Sequence, residues 1–295
     1  MKKILIPMIL SFVALVFLFS YQAGQLSDRV LTIVFCDVGQ GDAIYIRTPG
    51  SIDILVDGGP AFAKASAGKP DKLNAPVLDC LSENMPLMDR EIELVFATHP
   101  DADHIAGLVD VIESYTVKSF NTVAAEKKTK IFETLKKTIQ EKKVPYQEIR
   151  AGSKFTLSDG VTIETKWPAY AQGFGGQAKD TNEYSLVQIL TFEDFDLLLT
   201  GDVTFEILNG LDFSSNSIEV FKLPHHGSKT GVDNSTFQKI KASLAIISAG
   251  RNNSYYHPHP SVLNMLRKYN IEYKRTDIEG QIKIVTDGKT TKVVN

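Results

Sequence analysis

All six histidines of this 295-residue chain fall in three short clusters, His99 with His104, His225 with His226, and His257 with His259. Histidines used only for packing would be scattered, so the clustering points to chemistry. Around the first pair the order His99, Asp101, Asp103, His104 sets four possible ligands within six residues. Imidazole and carboxylate together suit a divalent first-row metal such as zinc, and each added carboxylate shifts the preference toward harder ions such as manganese. Asp57 and Asp202 each follow an apolar run and add two more carboxylates at strand ends. A helix cap at Asp101 or Asp103 would need one acid and no histidine. That simpler reading leaves His99 and both later clusters without a purpose.

The elements that must carry these residues are read from periodicity. Apolar strands are expected at 31–35, 43–47, 52–56 and 92–97, with a Gly-rich, hairpin-like turn through Asp37, Gly39, Gln40, Gly41 and Asp42. The His/Asp cluster then occupies a strand-to-helix turn, because Ile105, Leu108, Val109 and Ile112 have helical spacing. A second helix is expected over 127–143, its lysines forming a solvated face. Strands over 185–192, 195–200, 218–223 and 244–248 lead to Asp202, His225 with His226, and the segment bearing His257. A helix over 261–269 and strands near 272–275 and 281–285 complete one α/β domain from residue 30 to 295. The segments 61–74 and 173–176 read as loops.

The start of the chain is different. Lys2 and Lys3 precede an apolar run from Ile4 to Phe19, the layout of an export signal, so residues 1–29 are expected to be a signal peptide or an N-terminal membrane anchor with a short linker. An extracytoplasmic location follows, secreted or tethered to the membrane by that segment. Of the two cysteines, Cys36 lies in an apolar strand and reads as core, while a Cys36–Cys80 disulfide is open in an exported context. The net charge of -3 gives no basic field of the kind that advertises nucleic acid.

Thr98-His99-Pro100-Asp101-Ala102-Asp103-His104, with Asp202, resembles the HxHxDH motif and later bridging Asp of the metallo-β-lactamase superfamily, with Asp101 where a second His is usual. Together with Asp37 to Asp42, Val56 to Gly59, Thr200 to Asp202, Leu223 to Ser228 and His257-Pro258, the chain is similar to the hydrolase domain of ComEC-type competence proteins. The resemblance implies a four-layer αβ/βα sandwich with a metal site at the edge of its two sheets. Carried over residue by residue, it implies a two-metal centre of Zn or Mn. His99 and Asp101 would hold the first ion, Asp103 and His104 the second, with Asp202 bridging and either His225 or His226 completing the second. Asp57 is a candidate orienter of the histidines. The His that the family carries between the first cluster and the bridging Asp has no counterpart, and Asn182 stands near its place.

Two divalent ions about 3.5 to 4 Å apart activate water and stabilise both oxygens of an in-line displacement, which fits phosphodiester hydrolysis. In that scheme Asp103 orients the nucleophile and His257 is the candidate acid for the leaving oxygen. The metals and carboxylates nearly balance in charge, so Lys229 and Arg251, with Ser228 or the Gly227 N–H, are candidate phosphate contacts. The expected activity is a phosphodiesterase or nuclease acting on DNA, in uptake or scavenging, with nucleic acid or a small phosphodiester as partner and no protein partner. Hydrolysis of a lactone, lactam or thioester is a second reading, and a non-catalytic surface binding module a third.

Overall fold

Among the described residues, numbered 12–18, 29–63, 73–169 and 181–294, the computed structural model sets two large sheets face to face with helices on both outer sides. The first sheet has eight strands, in the order Tyr146–Glu148, Phe120–Thr122, Leu94–Ala97, Asp53–Val56, Ile44–Arg47, Leu31–Phe35, Ile282–Thr286 and Thr291–Val294. The second has seven, in the order Lys154–Thr156, Thr162–Trp167, Val187–Phe192, Phe195–Leu199, Ile218–Lys222, Leu244–Ile247 and Glu272–Arg275.

Alternation decides which side chains go where. Successive residues of a strand point to opposite faces, so Leu31, Ile33 and Phe35 face the second sheet while Val34 faces the helices. Ile44 and Ile46 point inward with Tyr45 outward, and Ile54 and Val56 inward with Leu55 outward. Ile163, Leu190, Leu197, Leu199, Val220 and Ile246 meet them from the other sheet. Each such burial contributes roughly 1.5–3 kcal/mol, which holds the two sheet edges in one relative position. Helices Pro76–Asn84, Ala102–Ser114 and Lys130–Glu141 cover the outer face of the first sheet through Leu81, Ile105, Leu108, Ile112, Leu135 and Ile139. Asn234–Ile240 and Pro260–Lys268 cover the second through Phe237, Ile240, Val262 and Leu266. The architecture is the four-layer αβ/βα sandwich.

Parallel neighbours end at the same edge of a sheet. Asp53–Val56 runs parallel to Leu94–Ala97, and Phe195–Leu199, Ile218–Lys222 and Leu244–Ile247 run parallel to one another. Their carboxyl ends therefore deliver Asp57, His99, Asp202, His225 and His226 together. A hydrogen bond from Leu186 N–H to the Thr98 carbonyl, 3.0 Å, stitches the two halves at this edge.

The expected strand over 92–97 is two strands: Glu91–Ile92 pairs with Thr116–Val117, and Leu94–Ala97 joins the main sheet. The break is at Glu93, whose carboxylate accepts the Asp53 N–H at 2.7 Å. Most of the expected leader lies outside the described residues; residues 12–18 are helical and exposed. Among the described residues no helix is long and apolar enough to cross a membrane. The loop expected at 61–74 also falls largely outside them, with Phe62–Ala63 paired to Leu73–Asn74, and 173–176 does so entirely.

Candidate metal centre

The turn after Leu94–Ala97 is built around Asp57. This residue sits just past its strand in a left-handed conformation, φ 57°. Its carboxylate accepts the Thr98 N–H at 2.8 Å and the Thr98 hydroxyl at 2.7 Å, and lies 2.8 Å from His104 Nδ1. The carboxylate keeps the His104 proton on Nδ1 and turns Nε2 into the site, 3.3 Å from Asp202 Oδ1. Asp57 thus orients His104. The backbone must come close for this: a Cβ on Gly107 would lie 2.0 Å from the Gly58 carbonyl, so the helix seats directly on the turn.

The second wall comes from Pro224–Gly227, where His225 and His226 are both left-handed, φ 51° and 56°. Two consecutive non-glycine residues in this region hold roughly 1–3 kcal/mol of strain each. A hydrogen bond from His225 N–H to the Gly201 carbonyl, 3.1 Å, ties the turn to the one that carries Asp202. His226 Nδ1 faces the Ser248 carbonyl at 3.1 Å, which leaves Nε2 directed at Asp103 Oδ2, 3.5 Å, and Asp202 Oδ2, 3.6 Å. His225 is partly exposed, and its Nε2 lies 3.8 Å from Asp202 Oδ2.

Buried polar atoms normally find partners. Here His104 Nε2, His226 Nε2, Asp202 Oδ1 and Asp42 Oδ1 are buried without a hydrogen bond, and His99 Nε2 is buried and unpartnered beside them. Asp42, His104, Asp202 and His226 each offer an atom within 4.8 Å of the others. Unpartnered imidazole nitrogens and carboxylate oxygens converging on one point are the donor set of a divalent metal. The residues present fit one.

The electrostatics agree. Burial alone would lower His104, but Asp202 and Asp57 raise it well above the usual imidazole range. His226 is likewise lowered by burial and carried by Asp202, Asp103 and Asp42 to about 9. Burial raises Asp202, yet His104 and His226 hold it well below the ordinary carboxylate range. The acids draw positive charge onto the histidines, as they would draw a cation. His99 is driven the other way, to about 4, by burial and by His104.

A protein-family model described as "Metallo-beta-lactamase superfamily" matches residues 36–251. The chain belongs to this superfamily. It is 28% identical over 269 residues to "ComE operon protein 3" of Bacillus subtilis (strain 168), covering 84% of this chain and 32% of that protein. It is 24% identical over 266 residues to "Recombination protein 2" of Haemophilus influenzae, covering 88% and 29%. The chain thus spans about a third of the length of these curated relatives. Among solved structures, the metallo-beta-lactamase fold protein YhfI from Bacillus subtilis shares the fold with TM-score 0.51 and 13% identity, covering 84% of this chain and 97% of that one. CmlA, a diiron beta-hydroxylase from Streptomyces venezuelae, does so with TM-score 0.55 and 10% identity, covering 87% and 54%. The protein is accordingly a metallo-β-lactamase family hydrolase with a divalent-metal centre.

Set on this superfamily frame, Asp103, His104, Asp202 and His226 come together, and of the histidine pair it is His226 whose Nε2 points inward. Asp101 does not join them. It occupies the N-cap position of Ala102–Ser114 without a capping bond, because its carboxylate accepts from Lys127 and Thr181 instead. Asn182, expected near the missing His, opens a short turn, and the hydroxyl that reaches Asp101 belongs to its neighbour Thr181. His257 approaches the site, its ring centroid 5.5 Å from that of His225, with Nδ1 buried and unpartnered. Burial, His226 and His225 lower it to about 4. The Ser228 hydroxyl is engaged with Thr230 Oγ1 at 3.0 Å, Lys229 is exposed, and Arg251 Nε bonds the Asp277 carbonyl at 3.2 Å. His259 caps Pro260–Lys268 by accepting the Ser261 N–H.

Asp42 and Lys222 are functional residues to which the sequence reading gave no role. Lys222 Nζ donates to Asp42 Oδ2 at 2.7 Å, with both side chains almost fully buried. Asp42 Oδ1 lies 3.4 Å from His226 Nδ1. Burial pushes Asp42 up, but Lys222 and His226 outweigh it and keep the carboxylate ionised. Asp42 Oδ2 is committed to Lys222, which leaves Oδ1 buried and unpartnered within the ligand cluster. The signal for the pair was a lysine near the end of the apolar run 218–223, since a buried lysine demands an acid.

Proposed function

We propose that this hydrolase is an extracytoplasmic phosphodiesterase acting on nucleic acid, with Mn or Zn as its metal. The observation that carries the reading is the polarity of the centre: His104, Asp202 and His226 form a buried wall of unpartnered ligand atoms, while Asp103 stands at the open side, partly exposed and 3.5 Å from His226 Nε2. When bound, a divalent ion supplies Lewis acidity and lowers the pKa of water. In this reading Asp103 orients an entering water and His257 contacts the substrate. Lys229 and Arg251 lie on loops from which a flexible side chain can reach a phosphate. The named relatives support a nucleic-acid substrate and a role in competence. The Cys36–Cys80 disulfide supports an oxidising, extracytoplasmic setting together with the N-terminal pattern, as a secreted or membrane-tethered protein.

The test is hydrolysis of single- and double-stranded DNA, RNA and a bis-aryl phosphate, beside nitrocefin and a thioester, each with Mn²⁺ and with Zn²⁺. Phosphodiester turnover is expected, and Asp103→Ala should lower it at least about a hundredfold. Turnover of nitrocefin or thioester without phosphodiester cleavage would overturn the assignment.

A further inference from the structure

The place the superfamily pattern gives to a first metal is flanked by His99 and Asp101. Both Asp101 oxygens are already hydrogen-bonded there. Its Oδ1 accepts from the Thr181 hydroxyl, and its Oδ2 accepts from Lys127 Nζ at 2.5 Å. Lys127 Nζ also lies 3.3 Å from Thr181 Oγ1, so cation, hydroxyl and carboxylate close a triangle. His99 Nε2 is 4.0 Å from Asp101 Oδ1. No histidine lies between His104 and His225 to add a ligand.

We propose that the Lys127 ammonium takes the place of the first metal, and that the resting protein holds a single divalent ion on Asp103, His104, Asp202 and His226. A second divalent ion at that place would have to displace an ammonium already bonded to the carboxylate the ion needs. The Lys127 backbone is itself fixed: its carbonyl accepts the Thr129 N–H at 2.9 Å, and Thr129 caps the Lys130–Glu141 helix by accepting the Phe132 N–H at 3.3 Å. The helix start therefore sets where the ammonium can reach.

The inference concerns ion count and is independent of the substrate. It is tested on the full chain, stripped with chelator, reloaded with excess Mn²⁺ and desalted. Elemental analysis should give one manganese per chain, with the electron paramagnetic resonance spectrum of an isolated ion. Lys127→Met keeps the length of the side chain and removes its charge; it should bind a second ion at least about tenfold more tightly than wild type and show a spin-coupled pair. Lys127→Arg should stay at one. Two coupled ions in the wild type would overturn the proposal, and so would a Lys127→Met protein that folds and still binds only one. Should that variant fail to fold, the wild-type count and Lys127→Arg still decide the matter.

Discussion

At the scale of single residues the centre is a competition for protons. Protein stripped of metal carries positive charge on His104 and on His226, the latter up to about 9, because Asp202 and its neighbouring acids outweigh burial. A metal must displace those protons from Nε2. The sign follows: below the raised values the histidines are charged and oppose the metal, and above them they are neutral and accept it. Affinity for Mn²⁺ should therefore climb by at least about tenfold per pH unit through neutrality, and the slope should ease as pH passes the His226 value of about 9. Isothermal titration in buffers of different ionisation enthalpy checks this, and an affinity flat across neutral pH would refute it. The sequence made His104, Asp202 and the His225/His226 pair legible because histidines and acids at strand ends have little structural use. It left Asp42 without a role, since the charge that keeps Asp42 ionised comes from Lys222, 180 positions away.

At the scale of elements, two backbones must nearly touch for the ligands to meet. Gly41 is the clearest case: with φ 143° and a position where a Cβ would fall 2.1 Å from the Asp103 carbonyl, it lets the turn before Asp42 lie against the start of Ala102–Ser114. The Asp42 N–H donates to that same carbonyl at 3.3 Å. Gly41→Ala should push Asp103 outward, lowering Mn²⁺ affinity at least about tenfold and unfolding stability by about 2–4 kcal/mol. Calorimetric metal titration and denaturant unfolding measure the two losses, and a variant that binds metal normally would show that the contact is slack. Elements with long apolar runs, such as Phe195–Leu199 and Ile218–Lys222, were readable from their sequence because both faces are buried. Tyr146–Glu148 and Lys154–Thr156 were not, being short, largely exposed strands at the ends of the sheets, where pairing rather than burial makes the strand.

At the scale of the whole molecule, the Cys36–Cys80 disulfide joins the strand end leading into the Asp37–Asp42 turn to the Pro76–Asn84 helix, with Cα atoms 5.9 Å apart. Cys36 was read as core, and it is core as well as cross-linked, fully buried at the head of its turn. Its partner could not be chosen from sequence because the two lie 44 residues apart and meet only through the fold. Chain-entropy arguments give a closed loop of that length about 4 kcal/mol, which in a domain of this size corresponds to a melting shift on the order of 10 °C. The oxidised protein should therefore melt on the order of 10 °C above the Cys36→Ser, Cys80→Ser double variant, and wild type treated with a thiol reductant should approach the variant. Equal melting points with and without reductant would mean that the bond is absent or thermodynamically idle. Asp103, His104, Asp202 and His226 lie outside the bridged segment 36–80, on turns that hydrogen bonds to Asp57, Gly201 and Ser248 hold. Metal content should thus survive reduction while the melting point falls, which separates a stabilising cross-link suited to an oxidising compartment from a redox switch on the centre.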